Sequence, residues 1–187
     1  MSEVSFRTAS SDEELRQILA LQQSNLEEGL HPQEVADQGF VTVRHDFELL
    51  RDMNGAAPHV VAVSDGQVVG YALAMVRAFE DRIPILKPMY AMLGQLEYQG
   101  QPVNEVPYLI MGQVCVDKGF RGKGVFGGLY QALRQQYSND YAMTITEIAR
   151  RNGRSIRAHE KVGFELLHRY TADDGEVWDL VVWDWRK

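Results

Sequence analysis

The stretch Val114-Cys115-Val116-Asp117-Lys118-Gly119-Phe120-Arg121-Gly122-Lys123-Gly124-Val125-Phe126-Gly127-Gly128 decides how this chain is read. The apolar run Tyr108–Asp117 leads into it as a strand. A helix over Val125–Tyr137 leads out, with Phe126, Leu129, Tyr130, Leu133 and Tyr137 on one face. Glycines lie in the turn between them, with the cations Arg121 and Lys123 among the last of them. Glycines leave backbone N–H groups unshielded, and a helix start adds the positive end of its dipole. A turn of this composition suits a phosphate or pyrophosphate.

Outward from that turn, the chain alternates strands and helices. Val4–Thr8 reads as a short strand. Ser11 followed by Glu14 has the spacing of a capping box, and Leu15, Ile18, Leu19 and Leu26 continue at helical spacing. Residues 27–38 read as a loop or irregular helix, and Asp46–Met53 as a second helix with Phe47, Leu50 and Met53 inward. His59–Ser64 and Gln67–Phe79 are strand-like runs joined by Asp65-Gly66, a strong hairpin signal. Four prolines punctuate residues 80–107, where a helix is expected around Met89–Glu97. Tyr141–Ala149, Phe164–Tyr170 and Val177–Trp185 read as strands, and Ser155–Val162 as a helix. A hairpin followed by alternating elements implies an α/β (α+β) chain: a mixed sheet with helices on both faces. No shift in composition divides residues 1–187, so one domain is expected.

Nineteen Lys+Arg against 26 Asp+Glu leave a formal charge of −7. An acidic chain has no general attraction for phosphate backbones, which argues against nucleic-acid binding. The lone cysteine, Cys115, excludes an internal disulfide framework and a multi-cysteine metal site. The histidines His31, His45, His59 and His168 are scattered, and nothing pairs them into a metal site. No secretory signal and no membrane span are visible, so a cytoplasmic protein is expected, as a monomer or homodimer.

Gly122–Gly127 formally fits G-x-G-x-x-G, with Glu147 about 20 residues beyond, as a dinucleotide fingerprint asks. Against a dinucleotide-binding oxidoreductase, Asp117–Arg121 separates the glycines from the strand, and the motif opens only after half the chain. A Walker A loop fails, because Val125 and Phe126 follow Gly124 where Lys and Ser/Thr are required.

The strand–Arg121-Gly122-Lys123-Gly124–helix segment resembles the acetyl-CoA loop of the GNAT superfamily of N-acetyltransferases, R/Q-x-x-G-x-G/A. Phe126 departs from it at the last position, with Gly127 next. Asn152-Gly153-Arg154-Ser155-Ile156-Arg157-Ala158-His159-Glu160-Lys161-Val162-Gly163-Phe164 is similar to that superfamily's N-x-x-A/S-x-x-x-Y/H-x-x-x-G-F segment. The resemblance implies a mostly antiparallel twisted sheet of six or seven strands, with helices on both faces. It also implies acetyl-CoA as acyl donor, with pantetheine lying between the strand that ends at Val116 and the strand Tyr141–Ala149. Val114, Cys115 and Val116 would then meet pantetheine, and Arg121, Gly122, Lys123, Gly124, Val125 and Phe126 the pyrophosphate. Asn152 and Ser155 would face the cofactor from the second block.

In many members a tyrosine at the Y/H position protonates the leaving thiolate; here it is His159. Glu147 is expected as the base that frees an amine for attack, with Asp117, Glu97 and Glu105 as other candidates. A strand cysteine between valines reads as a small apolar residue, so transfer would be direct, in a ternary complex. Residues 27–45 and 80–107 would hold the acceptor. Their acids, Glu27, Glu28, Glu34, Asp37, Glu80, Asp81, Glu97 and Glu105, outnumber Arg44, Arg82 and Lys87, and Met89, Tyr90, Met92 and Tyr98 add apolar surface. That balance suits a cationic amine of a small molecule or peptide. The alternative is a catalytically idle acyl-CoA-binding module.

Overall fold

Asp65 and Gly66 both take left-handed backbone angles (φ 49° and 76°), as the tight turn of a hairpin requires. They anchor a computed structural model that describes residues 3–31 and 39–187. In chain order the elements are β1 (Ser5–Thr8), α1 (Asp12–Gln23), α2 (Phe47–Ala56), β2 (Val60–Ser64), β3 (Gln67–Met75) and α3 (Lys87–Leu93). There follow β4 (Glu97–Tyr98), β5 (Gln101–Pro102), β6 (Tyr108–Val116), α4 (Val125–Tyr137) and β7 (Met143–Ala149). The chain closes with α5 (Gly153–Val162), β8 (Glu165–Thr171) and β9 (Val177–Asp184). Seven strands form one sheet in the order β1-β2-β3-β6-β7-β9-β8, with every neighbouring pair antiparallel except β6 and β7.

Apolar periodicity decides which face each helix covers. Leu129, Tyr130, Leu133 and Tyr137 of α4 bury against Val60, Ala62, Ala72, Ile148, Val181 and Trp183. Leu15, Ile18 and Leu21 of α1 and Leu50 of α2 bury on the opposite face, against Val61, Tyr71 and Leu73. Residues 77–107 complete that second face: Phe79, Leu86, Met89, Tyr90 and Leu93 pack on Met143, Ile145, Leu180 and Val182. The Ser11 hydroxyl accepts the Glu14 N–H and starts α1, while the Glu14 carboxylate reaches back to the Ser10 N–H at 2.8 Å.

The strand expected to run to Phe79 stops at Met75, and residues 77–82 wind into 3₁₀ turns that bury Phe79. The helix expected over Met89–Glu97 occupies Lys87–Leu93 instead. Beyond it, Gln99 and Gly100, both at positive φ, fold Glu97–Tyr98 and Gln101–Pro102 into a small hairpin. Tyr141 and Ala142 precede β7 rather than belong to it. Of the irregular stretch expected over 27–38, Glu27–Gly29 is a 3₁₀ turn, and residues 32–38 lie outside the described ones.

β6 and β7 determine where a site can form. They pair only at Tyr108–Met143, Leu109–Thr144 and Ile110–Ile145. Beyond these pairs β6 stays with β3 and β7 stays with β9, so a wedge opens between Met111–Val116 and Thr146–Ala149. Against β3 the register jumps from Ala74–Met111 to Leu73–Gln113, leaving Gly112 as the extra residue of a bulge.

His45, His59 and His159 are buried, and burial lowers each to about 4. The unfolded chain binds protons at these groups near 6.5 and the folded chain does not, so stability present above pH 6.5 is lost as pH falls toward 4. Each histidine contributes up to about 1.4 kcal/mol per pH unit. Glu147, raised to about 7 by burial, works the other way and offsets one of the three. The urea midpoint should therefore fall clearly between pH 7 and pH 5. An unchanged midpoint would contradict this account.

Candidate active site

The wedge opens into a cavity of about 560 Å³. Val114, Cys115 and Val116 of β6 form one wall, Gly122, Gly124, Val125 and Phe126 the next, and Asn152 and Ser155 of the β7–α5 corner a third. Of the residues the sequence assigned to the cofactor, Arg121 also lines it. Lys123 does not: its ammonium donates to the Gly119 carbonyl at 2.7 Å and lies over the Phe120 ring.

Gly124, at φ +82°, caps α4 in a conformation that costs most residues dearly. The first intrahelical bond runs from the Gly128 N–H to the Gly124 carbonyl, so the N–H groups of Val125, Phe126 and Gly127 have no acceptor within the helix. Arg121 braces the loop, with Nε donating to the Val116 carbonyl at 2.9 Å and Nη2 to Asn25 Oδ1 at 2.7 Å. Arg154, Arg157 and Lys161, at i, i+3 and i+7 on α5, add a cationic stripe that the sequence reading left unassigned. Among the described residues lining this cavity there is no carboxylate. In a chain of net charge −7, that is a cavity whose charge suits a polyanion.

A second cavity of about 70 Å³ adjoins the first, sharing Phe40, Val41, Val114, Asn152 and Ser155 with it. Its outer wall, Phe40–Val43, is held by hydrogen bonds to three parts of the fold, the Glu27 N–H also donating to the Val41 carbonyl at 3.1 Å. Asn152 Nδ2 donates to the Phe40 carbonyl (3.2 Å), Gln113 Nε2 to the Val43 carbonyl (2.8 Å) and the Val41 N–H to the Asn25 carbonyl (3.0 Å). Gln113 is itself fixed, its Oε1 accepting from Tyr71 Oη and Gln22 Nε2, both at 2.7 Å.

Glu147 and His159 both line this smaller cavity, in different states. Burial raises Glu147 to about 7, against the opposing hydrogen bond that Tyr170 Oη donates to its Oε2 at 2.6 Å. Glu147 is thus poised to exchange a proton near neutrality. His159 sits in an aromatic cluster, its ring centroid 5.1 Å from both Phe126 and Phe164. Its Nδ1 faces the Ser155 carbonyl at 2.8 Å and so carries the proton, while Nε2 accepts from Tyr130 Oη at 2.6 Å. Lowered to about 4, the imidazole is neutral at pH 7, with both nitrogens engaged by the protein.

The other base candidates stand apart from both cavities. Asp117 accepts the Gly119 N–H at 2.8 Å as a turn cap, and Glu97 and Glu105 are exposed on residues 97–105. The Cys115 thiol is buried and pushed up to about 11, far from a thiolate. Several of the expected rim acids are paired: Glu27 with Arg151, Glu80 with Arg77, and Asp81 with Lys87. Glu34 and Asp37 lie outside the described residues.

The sequence profile of the acetyltransferase (GNAT) family matches residues 15–164. The chain belongs to the GNAT acetyltransferase family. The dinucleotide reading of Gly122–Gly127 gives way to it, since the glycines start α4 of a GNAT sheet. Comparison with curated protein sequences returns no match. Among solved structures, NAA60 of Arabidopsis thaliana in complex with acetyl-CoA is similar, at TM-score 0.65 and 16% identity over 97% of this chain and 99% of that one. The ribosomal-protein-S18-alanine N-acetyltransferase of Escherichia coli gives 0.62 and 12% over 97% and 94%. Naa50 of Arabidopsis thaliana, in complex with the bisubstrate analogue CoA-Ac-MVNAL, gives 0.61 and 16% over 97% and 99%. These likenesses establish the GNAT fold. No helix among the described residues is long and apolar enough to cross a membrane.

Asn152 joins the parts of the site, since its Oδ1 caps α5 by accepting the Ser155 N–H (3.2 Å) while its Nδ2 holds the Phe40 carbonyl. Asn152→Ala should cost about 1–2 kcal/mol in urea unfolding. Unaltered stability would show that neither bond matters.

Proposed function

We propose that this chain, acting as a single acetyltransferase domain, moves an acetyl group from acetyl-CoA to a primary amine of a peptide or small molecule, directly and within a ternary complex. The observation that carries the reading is the join between two cavities. One is cationic and opens at a glycine-rich helix start; the other is small and contains one carboxylate raised to about 7, Glu147.

The larger cavity fits CoA by its chemistry. The α4 start would receive the pyrophosphate, and the free edge of β6 offers backbone groups to the pantetheine amides. N–H groups near Val114–Val116 would stabilise negative charge as it develops on the thioester oxygen. Glu147 takes one proton from the attacking ammonium, the nitrogen bonds to the acetyl carbon and sheds its second proton to water, and the carbon–sulfur bond breaks. The departing thiolate takes its proton from water. No acyl-enzyme is needed, because the single cysteine is buried and protonated. His159 supports the wall from within its aromatic cluster and supplies no proton.

A base near 7 also ranks acceptors. An α-ammonium loses its proton near ~7.7–8.0 and a lysine side chain near ~10.4, so transfer to Glu147 is uphill by about 1 unit or about 3.4 units. That is about 1 against about 5 kcal/mol, which favours α-amines such as peptide N-termini. Glu147→Gln should lower kcat/KM for a peptide amine by ~10²-fold or more and leave CoA binding intact. A parental rate in this variant would remove Glu147 from the mechanism. The engagement of both His159 nitrogens favours one second reading, an acyl-CoA-binding module without turnover, which release of free thiol from acetyl-CoA with pooled amines would eliminate.

CoA at 100 times its dissociation constant should stabilise the fold by about 2.7 kcal/mol. Gly124→Glu sets a carboxylate among the α4 N–H groups and should abolish that shift. A shift that survives the substitution would place the phosphates elsewhere.

A further inference from the structure

We propose that Tyr170 is a positioning residue for Glu147, its hydroxyl holding the carboxylate at the wedge; this rests on the reading of Glu147 as the base. The two residues are not on neighbouring strands. Glu147 on β7 pairs with Leu180 of β9, and Tyr170 on β8 pairs with Trp178 of β9. Residues paired across a ladder share a face, and so do positions 178 and 180. Tyr170 therefore reaches over β9, and its Oη donates to Glu147 Oε2 at 2.6 Å. Tyr170 is half-buried against the apolar cluster to which Leu180 and Val182 belong, so the hydroxyl is delivered from a packed support.

The surroundings leave this bond as the main polar hold on the carboxylate. From β6 the cavity presents Gln113, uncharged and already bonded to Tyr71, Gln22 and Val43. From α5 it presents His159, neutral and internally bonded. The Phe40–Val43 wall carries no charge. Beyond the cavity, Asp174 in the β8–β9 turn acts on the Tyr170 phenol. Donation by Tyr170 favours the ionised carboxylate and opposes the burial that raises it. A free carboxylate would rotate toward solvent or stay protonated; the tyrosine keeps one oxygen occupied and leaves the other for the amine.

The test reads Glu147 directly, by ¹³C NMR titration of glutamate carboxyls in the full chain, with Glu147→Gln assigning the resonance. Tyr170→Phe keeps the ring and deletes the donor, and should raise the Glu147 midpoint by about one pH unit. Activity at pH 7 should then fall about five-fold, as the ionised fraction drops from a half to about a tenth, and should recover above pH 9. 3-Fluorotyrosine at position 170, a stronger donor, should move the midpoint the opposite way. An unmoved midpoint, or a loss of rate equal at every pH, would make Tyr170 merely structural and overturn the proposal. Full activity of Glu147→Gln would instead overturn the base reading, while the tyrosine's effect on the carboxyl titration would remain readable.

Discussion

Two parallel strands that zip for three residue pairs and then part are the constraint on which this molecule turns. β6 is drawn toward β3 by a ladder from Gly70–Val116 to Met75–Ile110, and β7 toward β9 by seven continuous pairs. Neither strand can satisfy both neighbours beyond Ile110–Ile145, and the Gly112 bulge turns β6 further aside. A sheet interior is a costly place for unpaired N–H and C=O groups. Their exposure along the wedge is a standing demand for a polar, extended ligand, which pantetheine would meet in the proposed reading.

The electrostatics follow from the same opening. Among the described residues, Arg121, Arg154, Arg157 and Lys161 line the larger cavity, while the acids stay on outer surfaces or in ion pairs. The exception is Glu147, placed on β7 where the wedge narrows. Its burial would be unfavourable in a purely structural carboxylate, since among the described residues no cation pairs with it and a phenol alone hydrogen-bonds it. A group held in that condition beside a cationic cavity fits the proton transfer proposed for it.

Much of this was legible in the residues. Asp65-Gly66 and its flanking alternation specify a hairpin by local backbone chemistry, and the Val125–Tyr137 periodicity gives α4 its observed ends. The glycine loop and the Asn152–Phe164 block carried the family, because both place unusual residue types at fixed spacing. The extent of the β6–β7 separation was not legible, since it results from competition between ladders distant in sequence. His159 occupies the motif position, yet its state is set by Tyr130, 29 residues away, and by burial that periodicity does not report. The Tyr170–Glu147 bond crosses an intervening strand, a relation that emerges only when β9 inserts between β7 and β8. Arg154, Arg157 and Lys161 were readable as a helical stripe, but only the structure shows that the stripe faces the cavity.

The central claim is that the wedge itself is the acyl-donor site, and amide hydrogen exchange with and without CoA tests it most directly. Protection on adding CoA should appear at Met111–Val116 on β6 and at Gly122–Phe126 at the α4 start, while the already paired amides of β2 and β9 stay unchanged. Protection confined to other segments, with these amides exchanging as before, would contradict the account.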